Sequence, residues 1–458
     1  GTKSMAYDMA NSVVPWLGTR FAGLFCTSHR PANGYSRSME LAMWLLSLLC
    51  AALPNGGGPP SPNVLVVLLD DIGRAKVHAY GLSPSAPPTP NLDALAARGV
   101  LFRNAWAYHA CSPTRAALLT GRHSDRTGIG SVIRSGDGVY SSLDLSETTL
   151  PEALPGYTSV ALGKWHLRDQ GDPDTHPLDS GFDAVSGYLG PNDYQSWTWN
   201  LNGSPIQRSG YYPTELGGQA AEALRRLPEP YFVYYCPKMA HSPYHVPPAP
   251  LHTQGQPTTT WGKHAAMSES IDTIVGRVLS AVDLETTYVF VMGDNGSPGE
   301  AVVPPFMFNQ AKGSVYEGGV RVPLIVAGPG VARGQECDEL VHVTDLFATI
   351  LELSGLGPPT SGAEDSVSFV DQLTNPQQQG HRETLFVHKF PFPGLPGPDV
   401  RALRTRRWKI IHRAGTQQSE LYDLSADPFE LDDLLVSQPG PATAGMRDRL
   451  LALMPTFP

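Results

Sequence analysis

The chain has 458 residues, 33 Lys+Arg against 43 Asp+Glu and a formal net charge of −10, a balance that excludes a basic nucleic-acid binder. Hydrophobic residues at 41% and charged residues at 17% exclude a disordered chain, and 46 Gly with 43 Pro stay short of low complexity. The length admits one large α/β domain with an appendage.

Residues 41–53 (LAMWLLSLLCAAL) form an apolar run shorter than the roughly twenty residues that span a bilayer as a helix. The run suits the apolar core of a signal peptide cleaved after Ala52. Residues 1–60 therefore read as an N-terminal extension, and the mature chain as extracytoplasmic, whether periplasmic, secreted or lysosomal. No stable membrane span is expected. From residue 61, short β-rich runs alternate with helical stretches, the pattern of an α/β fold with a large, mainly parallel or mixed sheet flanked by helices. Residues 62–69 (PNVLVVLL) read as a buried strand running into Asp70 and Asp71. Residues 91–98 read as a helix capped by Asn91 and stopped at Gly99. Further strands are expected over 231–236, 288–292 and 322–327, with helices over 215–226, 263–281 and 343–354. The polar stretch 375–380 (NPQQQG) reads as a linker. It divides a main domain over 61–380 from a small C-terminal antiparallel-sheet subdomain over 381–458, with a strand pair around 402–412 and a last helix over 444–454.

Five cysteines, Cys26, Cys50, Cys111, Cys236 and Cys337, are too few and too scattered for a disulfide framework or a zinc site. Cys236 ends an apolar strand and reads as a buried thiol, whereas Cys337 is expected in a polar loop. Cys111 opens the stretch CSPTR, in which Pro113 suits the first turn of a helix. A helix N-terminus stabilises negative charge, so the position serves either an inert thiol or a nucleophile beside an oxyanion.

Two acidic clusters follow apolar strands. Asp70-Asp71 lies after the first strand, and Gly293-Asp294-Asn295-Gly296 lies after the strand over 288–292. Taken singly, the first fits a helix cap and the second a turn. Together they bring four oxygen-bearing side chains to strand ends, a donor set for a hard cation such as Ca²⁺ or Mg²⁺.

At this point the chain resembles the formylglycine-dependent (type I) sulfatase family of the alkaline-phosphatase-like superfamily. Cys111-Ser112-Pro113-Thr114-Arg115 matches the Cys-x-Pro-x-Arg signature, and Gly163-Lys164-Trp165-His166-Leu167 matches the second. Further matches are Asp70-Asp71, Ala240-His241-Ser242-Pro243, Gly293-Asp294-Asn295-Gly296, Ala311-Lys312-Gly313 and the run from Glu317 to Pro323. Leu421-Tyr422-Asp423-Leu424 with Asp427-Pro428 resembles the closing segment. The matches keep the family's order from about residue 61 to 435.

The resemblance implies hydrolysis of aryl or carbohydrate sulfate monoesters. Cys111 would be converted to formylglycine by a separate formylglycine-generating enzyme, a maturation partner. Asp70, Asp71, Asp294 and Asn295 would hold a divalent cation, Ca²⁺ with Mg²⁺ as the alternative, that also touches residue 111. Lys164 and Lys312 would bind sulfate oxygens. Arg115, one helical turn after Cys111, would hold the hydrated aldehyde. His241 would protonate the leaving alcohol, and His166 would take the proton that releases sulfate. Two alternatives stay open: a phosphate or phosphonate ester hydrolase of the same superfamily, and a non-catalytic sulfatase-like binding protein. The chain departs from the family pattern at Arg74, Lys76 and Arg168, read as changes at the pocket rim. The segment 190–199, with Tyr194, Trp197 and Trp199, lies where relatives vary most in substrate recognition, its aromatics read as stacking platforms for a sugar or aryl group or as ordinary core aromatics. Asn202-Gly203-Ser204 is a formal glycosylation sequon, weakened by Pro205.

Overall fold

The structure, a computed structural model, describes residues 61–134, 142–169, 171–190, 193–359 and 361–457. The apolar run over 41–53 and its cleavage site lie outside the described residues. No helix among the described residues is long and apolar enough to cross a membrane.

Among the described residues, fourteen strands form two sheets. The large sheet holds β1 (Asn63–Leu69), β2 (Val100–Trp106), β3 (Thr158–Gly163), β4 (Ala184–Gly190), β5 (Ser196–Leu201), β6 (Ser204–Ser209), β7 (Tyr231–Cys236), β8 (Thr287–Gly293), β9 (Leu324–Ala327) and β10 (Gln335–His342), in the order β10-β2-β9-β8-β1-β7-β3-β4-β5-β6. The small one is antiparallel, with β11 (Leu385–Lys389), β12 (Val400–Arg404), β13 (Trp408–Arg413) and β14 (Gln418–Asp423) in sequence order. The longer helices among the described residues are α1 (Pro90–Ala97), α2 (Cys111–Thr120), α3 (Tyr212–Arg226), α4 (Thr260–Leu279), α5 (Asp345–Leu353) and α6 (Pro441–Ala452).

β1 is buried along its whole length because both faces of a central parallel strand are covered, which its unbroken Val/Leu run requires. Val64, Val66 and Leu68 share one core with Ala116–Leu119 of α2 and with Leu346, Phe347 and Ile350 of α5. The small sheet joins this core through Leu385, Val387, Ala402, Ile411 and Tyr422. Its opposite face, Phe386, Leu403, Ile410 and Leu421, is covered by Leu450 of α6. The period-2 alternation of β11 thus serves two layers at once.

Parallel pairing sets the position of the site. β8, β1, β7 and β3 are consecutive parallel neighbours, with Leu69 opposite Gly293, Val67 opposite Tyr235, and Gly163 opposite Cys236. Their carboxyl ends therefore meet at one edge, where open α/β sheets place function. Gly163 has φ +102°, and a Cβ there would lie 2.2 Å from the Cys236 carbonyl oxygen, so only glycine lets these two strand ends close.

The structure corrects several expectations. Asn91 is not a cap: α1 starts at Pro90, and the Asn91 amide donates to Asp272 Oδ2 at 2.8 Å. α3 starts at Tyr212, with Pro213 in its first turn. Cys337 lies in β10 rather than a loop, buried while Gln335, Glu336 and Asp338 on either side stay exposed. Cys236 and Cys337 are free thiols. Trp197 and Trp199 are core residues packed on Tyr212, unavailable as stacking platforms. Arg74 and Lys76 are also buried, so they do not form a rim.

Candidate active site

The four strand ends, the N-terminus of α2 and the loop that carries Lys312 bring every predicted site residue into one neighbourhood. Asp70 and Asp71 follow β1, Asp294 and Asn295 follow β8, Lys164 and His166 follow β3, and His241 follows β7. The first two groups interlock: the Asp71 N–H donates to Asp294 Oδ1 at 3.1 Å, and the Asn295 amide donates to Asp71 Oδ1 at 2.9 Å. Asp71 has φ 65° and His166 φ 58°. Such left-handed conformations cost about 1–3 kcal/mol each and cluster at functional sites. Gly296 allows the second acidic loop to rest on the turn over 317–320, because a Cβ there would sit 1.8 Å from the Gly318 carbonyl.

Cys111 is the first residue of α2, and its Sγ lies 3.1 Å from His166 Nδ1. The ring's Nε2 faces the Ile133 carbonyl at 3.0 Å. A carbonyl only accepts, so Nε2 carries the hydrogen and Nδ1 presents its lone pair to residue 111. Burial, with Lys164 and Arg115 nearby, pushes His166 down to about 3 and keeps it neutral. The rest of the signature supports this arrangement. Ser112 Oγ accepts the Ile133 N–H at 3.1 Å and so holds the residue whose carbonyl meets His166, while Thr114 Oγ1 donates to the Asp294 carbonyl at 2.6 Å.

Arg115, with no exposed surface, donates to Asp294 Oδ2 at 3.0 Å and to the Lys164 carbonyl at 2.8 Å. Lys164 Nζ reaches Asp70 Oδ2 at 2.7 Å, and Lys312 Nζ reaches Asp71 Oδ1. Burial alone would raise the Asp70 carboxyl, but Lys164, His241 and Arg115 outweigh it and hold Asp70 well below the usual carboxylate range. Asp71 is likewise lowered against its burial, chiefly by Lys312. Asp294 is pushed up by burial and by the neighbouring Asp70. His241 Nδ1 lies 2.9 Å from the Ser242 carbonyl, which leaves Nε2 free, and burial lowers its pKa.

These residues fit a hard divalent cation. Asp70 Oδ1 and Asn295 Oδ1 are buried without a hydrogen-bond partner, a costly state that a metal relieves. Asp70, Asp71 and His241 offer ligand atoms within 4.8 Å of one another. Three carboxylates face the three cations Arg115, Lys164 and Lys312, so one added divalent cation makes the site net positive and suited to an anionic ester.

Sequence reasoning missed Lys238 as part of this site and read Tyr194 only as one of the aromatics that stack on substrate or fill the core. Tyr194 Oη reaches the carbonyls of His241, at 2.5 Å, and Lys238, at 3.1 Å, and so holds the His241 turn. Lys238 lines the cleft beside His241. The available signal was its place two residues after the buried β7.

Comparison with known proteins agrees with this geometry. The Sulfatase family model matches residues 62–356, and the model "N-sulphoglucosamine sulphohydrolase, C-terminal" matches 308–454. The chain is 33% identical over 379 residues to the N-acetylgalactosamine-6-sulfatase of Canis lupus familiaris, covering 73% of this chain and 70% of that protein. It is 28% identical over 420 residues to arylsulfatase G of Mus musculus, covering 78% and 77%. Among solved structures, Ps i-CgsB superposes with a TM-score of 0.75 at 23% identity, covering 86% of this chain and 91% of that one. BT4656, solved with its substrate D-glucosamine-2-N,6-O-disulfate, superposes with a TM-score of 0.70 at 20% identity, covering 86% and 96%. The chain belongs to the sulfatase family and is a sulfuric ester hydrolase.

Proposed function

We propose that this enzyme hydrolyses carbohydrate or aryl sulfate monoesters through a formylglycine made from Cys111, beside a divalent cation held by Asp70, Asp71, Asp294 and Asn295. The observation that carries the reading is the 3.1 Å approach of His166 Nδ1 to Cys111 Sγ at the start of α2, with the ring's other nitrogen fixed on Ile133. The all-oxygen donor set favours Ca²⁺, with Mg²⁺ as the alternative. When present, the cation neutralises sulfate oxygens and the modified residue supplies a nucleophilic hydroxyl.

The chain's own residues do the rest. Lys164 and Lys312 bind sulfate oxygens from the positions where they now meet Asp70 and Asp71. Arg115 fixes Asp294 and the Lys164 backbone, and so sets the spacing between residue 111 and the cation ligands. His166 accepts a proton at Nδ1 from residue 111, because Nε2 is already engaged. His241 holds a proton at Nε2 for the departing alcohol and returns to the tautomer that Ser242 fixes. Residues 61–380 form the catalytic domain in this reading, with 381–458 as its C-terminal subdomain. Maturation requires a formylglycine-generating enzyme. The apolar run over 41–53 supports export from the cytoplasm.

Mass analysis of the residue-111 peptide, from protein made in a host with a formylglycine-generating enzyme, is expected to find an aldehyde in part of the population. A thiol throughout, in protein that still cleaves sulfate esters, overturns the mechanism.

A further inference from the structure

A cleft of about 360 Å³ opens beside the site, lined among others by Lys164, His166, Arg168, Tyr188, Lys238 and His241. The cations at and around this cleft differ in their partners. Lys164 meets Asp70, Lys312 meets Asp71, and Arg168 meets Asp174 together with two backbone carbonyls. Lys238 makes no ion pair among the described residues. Its ammonium donates to Tyr188 Oη at 3.0 Å and lies 4.3 Å from the Tyr188 ring centre and 4.6 Å from that of Tyr194. The residue is 2% exposed.

That environment is unusual for a lysine. An ammonium has three N–H donors, and one is used here. The two aromatic faces attract a cation, while the carboxylates of Asp70 and Asp193 act on it only from beyond ion-pair distance. Burying a cation without a counter-ion is costly, and burial pushes the Lys238 ammonium down to about 7. Its geometry is nevertheless fixed. The Lys238 carbonyl accepts the His241 N–H at 3.0 Å, and Tyr194 Oη bridges the carbonyls of both residues. Lys238 therefore stands at a set position beside the histidine assigned to the departing alcohol.

We propose that Lys238 is a binding site for a second anionic group, a carboxylate or a further sulfate, carried by the alcohol portion of the substrate. The substrate class is then an acidic glycan with at least two anionic groups. The cleft wall supplies a preorganised cation, and the ligand supplies the direct ion pair that Asp70 and Asp193 do not make. This inference deepens the sulfatase reading and rests on it.

Binding separates the two ideas, because it can be measured without turnover. The full chain carrying Cys111→Ala is titrated by calorimetry with three ligands: a monosulfated hexose, the same hexose with two sulfates, and the monosulfated hexose joined to a hexuronate. At least one two-anion ligand is expected to bind about tenfold or more tightly than the monosulfated sugar. Lys238→Met in the same chain should lose that preference, and Lys238→Arg should keep most of it. Loss confined to the uronate identifies a carboxylate, and loss confined to the disulfated sugar identifies a sulfate. Where methionine disturbs the aromatic pair, Lys238→Gln removes the same charge, with near-ultraviolet circular dichroism reporting the fold. Equal or undetectable binding of all three ligands, or a preference that survives the loss of charge, overturns the proposal. Failure of the aldehyde-bearing parent to cleave any sulfate ester strikes the hydrolase reading instead, and leaves the calorimetric preference as its own result.

Discussion

Glu317→Gln tests whether charge holds the small sheet to the large one. Glu317 Oε1 accepts from Trp106 Nε1 at 3.1 Å and from Lys409 Nζ at 3.2 Å, while Oε2 accepts from Arg404 at 2.7 Å and Arg321 at 3.3 Å. Trp106 ends β2 of the large sheet, whereas Arg404 and Lys409 belong to β12 and β13. Burial alone would raise the Glu317 carboxyl, but Arg404, Lys409 and Arg321 outweigh it and hold it well below the usual range. An amide keeps the shape, loses the charge and turns a donor toward a cation. Removing one partner of a buried ion pair costs about 3–5 kcal/mol. The lower end is expected, because each stranded cation keeps another acceptor. Arg404 retains the Thr405 carbonyl at 3.1 Å, Arg321 the Arg103 carbonyl at 2.8 Å, and Lys409 the Glu430 carboxylate at 2.7 Å. Urea unfolding followed by circular dichroism should show a lower midpoint at unchanged slope. Glu317→Gln/Arg404→Met should recover part of the loss, since it removes one uncompensated charge. A loss below about 1 kcal/mol, or a double variant that is simply additive, refutes the assignment of this contact to electrostatics.

Three further outcomes are expected. His241→Ala should lose about 10²–10⁴ in rate on sugar sulfates, and much less on a nitrophenyl sulfate whose leaving group departs unprotonated; equal losses on both would contradict its role as the acid. Prolonged chelation should abolish activity and lower the melting temperature. A cation present at a hundredfold excess over its Kd stabilises the native state by about 2.7 kcal/mol, and an unchanged melting curve would remove the metal from the site. His123 is buried against His342 and Phe386, and burial lowers it from 6.5 to about 4. A depressed histidine contributes stability that is present above pH 6.5 and is lost as pH falls toward 4, up to about 3 kcal/mol. Denaturant titrations across that window should show the decline, and His123→Gln should make it shallower by that share, while His166, His109 and His264, each lowered to about 3, keep theirs.

The strands were legible where burial leaves a one-sided record. β1 and β7 are buried on both faces, and their unbroken apolar runs set their limits in the sequence almost to the residue. β10 was missed because an edge strand alternates: Gln335, Glu336 and Asp338 face solvent and conceal the buried Cys337 and Leu340. Trp197 and Trp199 were ambiguous for a related reason. An aromatic that fills a core and one that stacks on a sugar have the same composition, and only packing on Tyr212 decides between them.

For the site, spacing located the residues and topology supplied their meeting. Two acidic clusters more than two hundred positions apart become neighbours because β1 and β8 pair in parallel with Leu69 opposite Gly293. The variable positions of the Cys111 signature carry structural work that its pattern does not state, since Ser112 holds the residue whose carbonyl meets His166 and Thr114 holds the Asp294 backbone. Lys238 was the hardest to read, and the reason is physical. A lysine after an apolar strand is unremarkable until its neighbours are known, because its meaning lies in the ion pair it does not make among the described residues. Sequence patterns record which groups are present along the chain. A missing ion pair is a property of the space around one atom, and it becomes visible only when the nearby carboxylates, Asp70 and Asp193, are found to act on the ammonium from beyond contact.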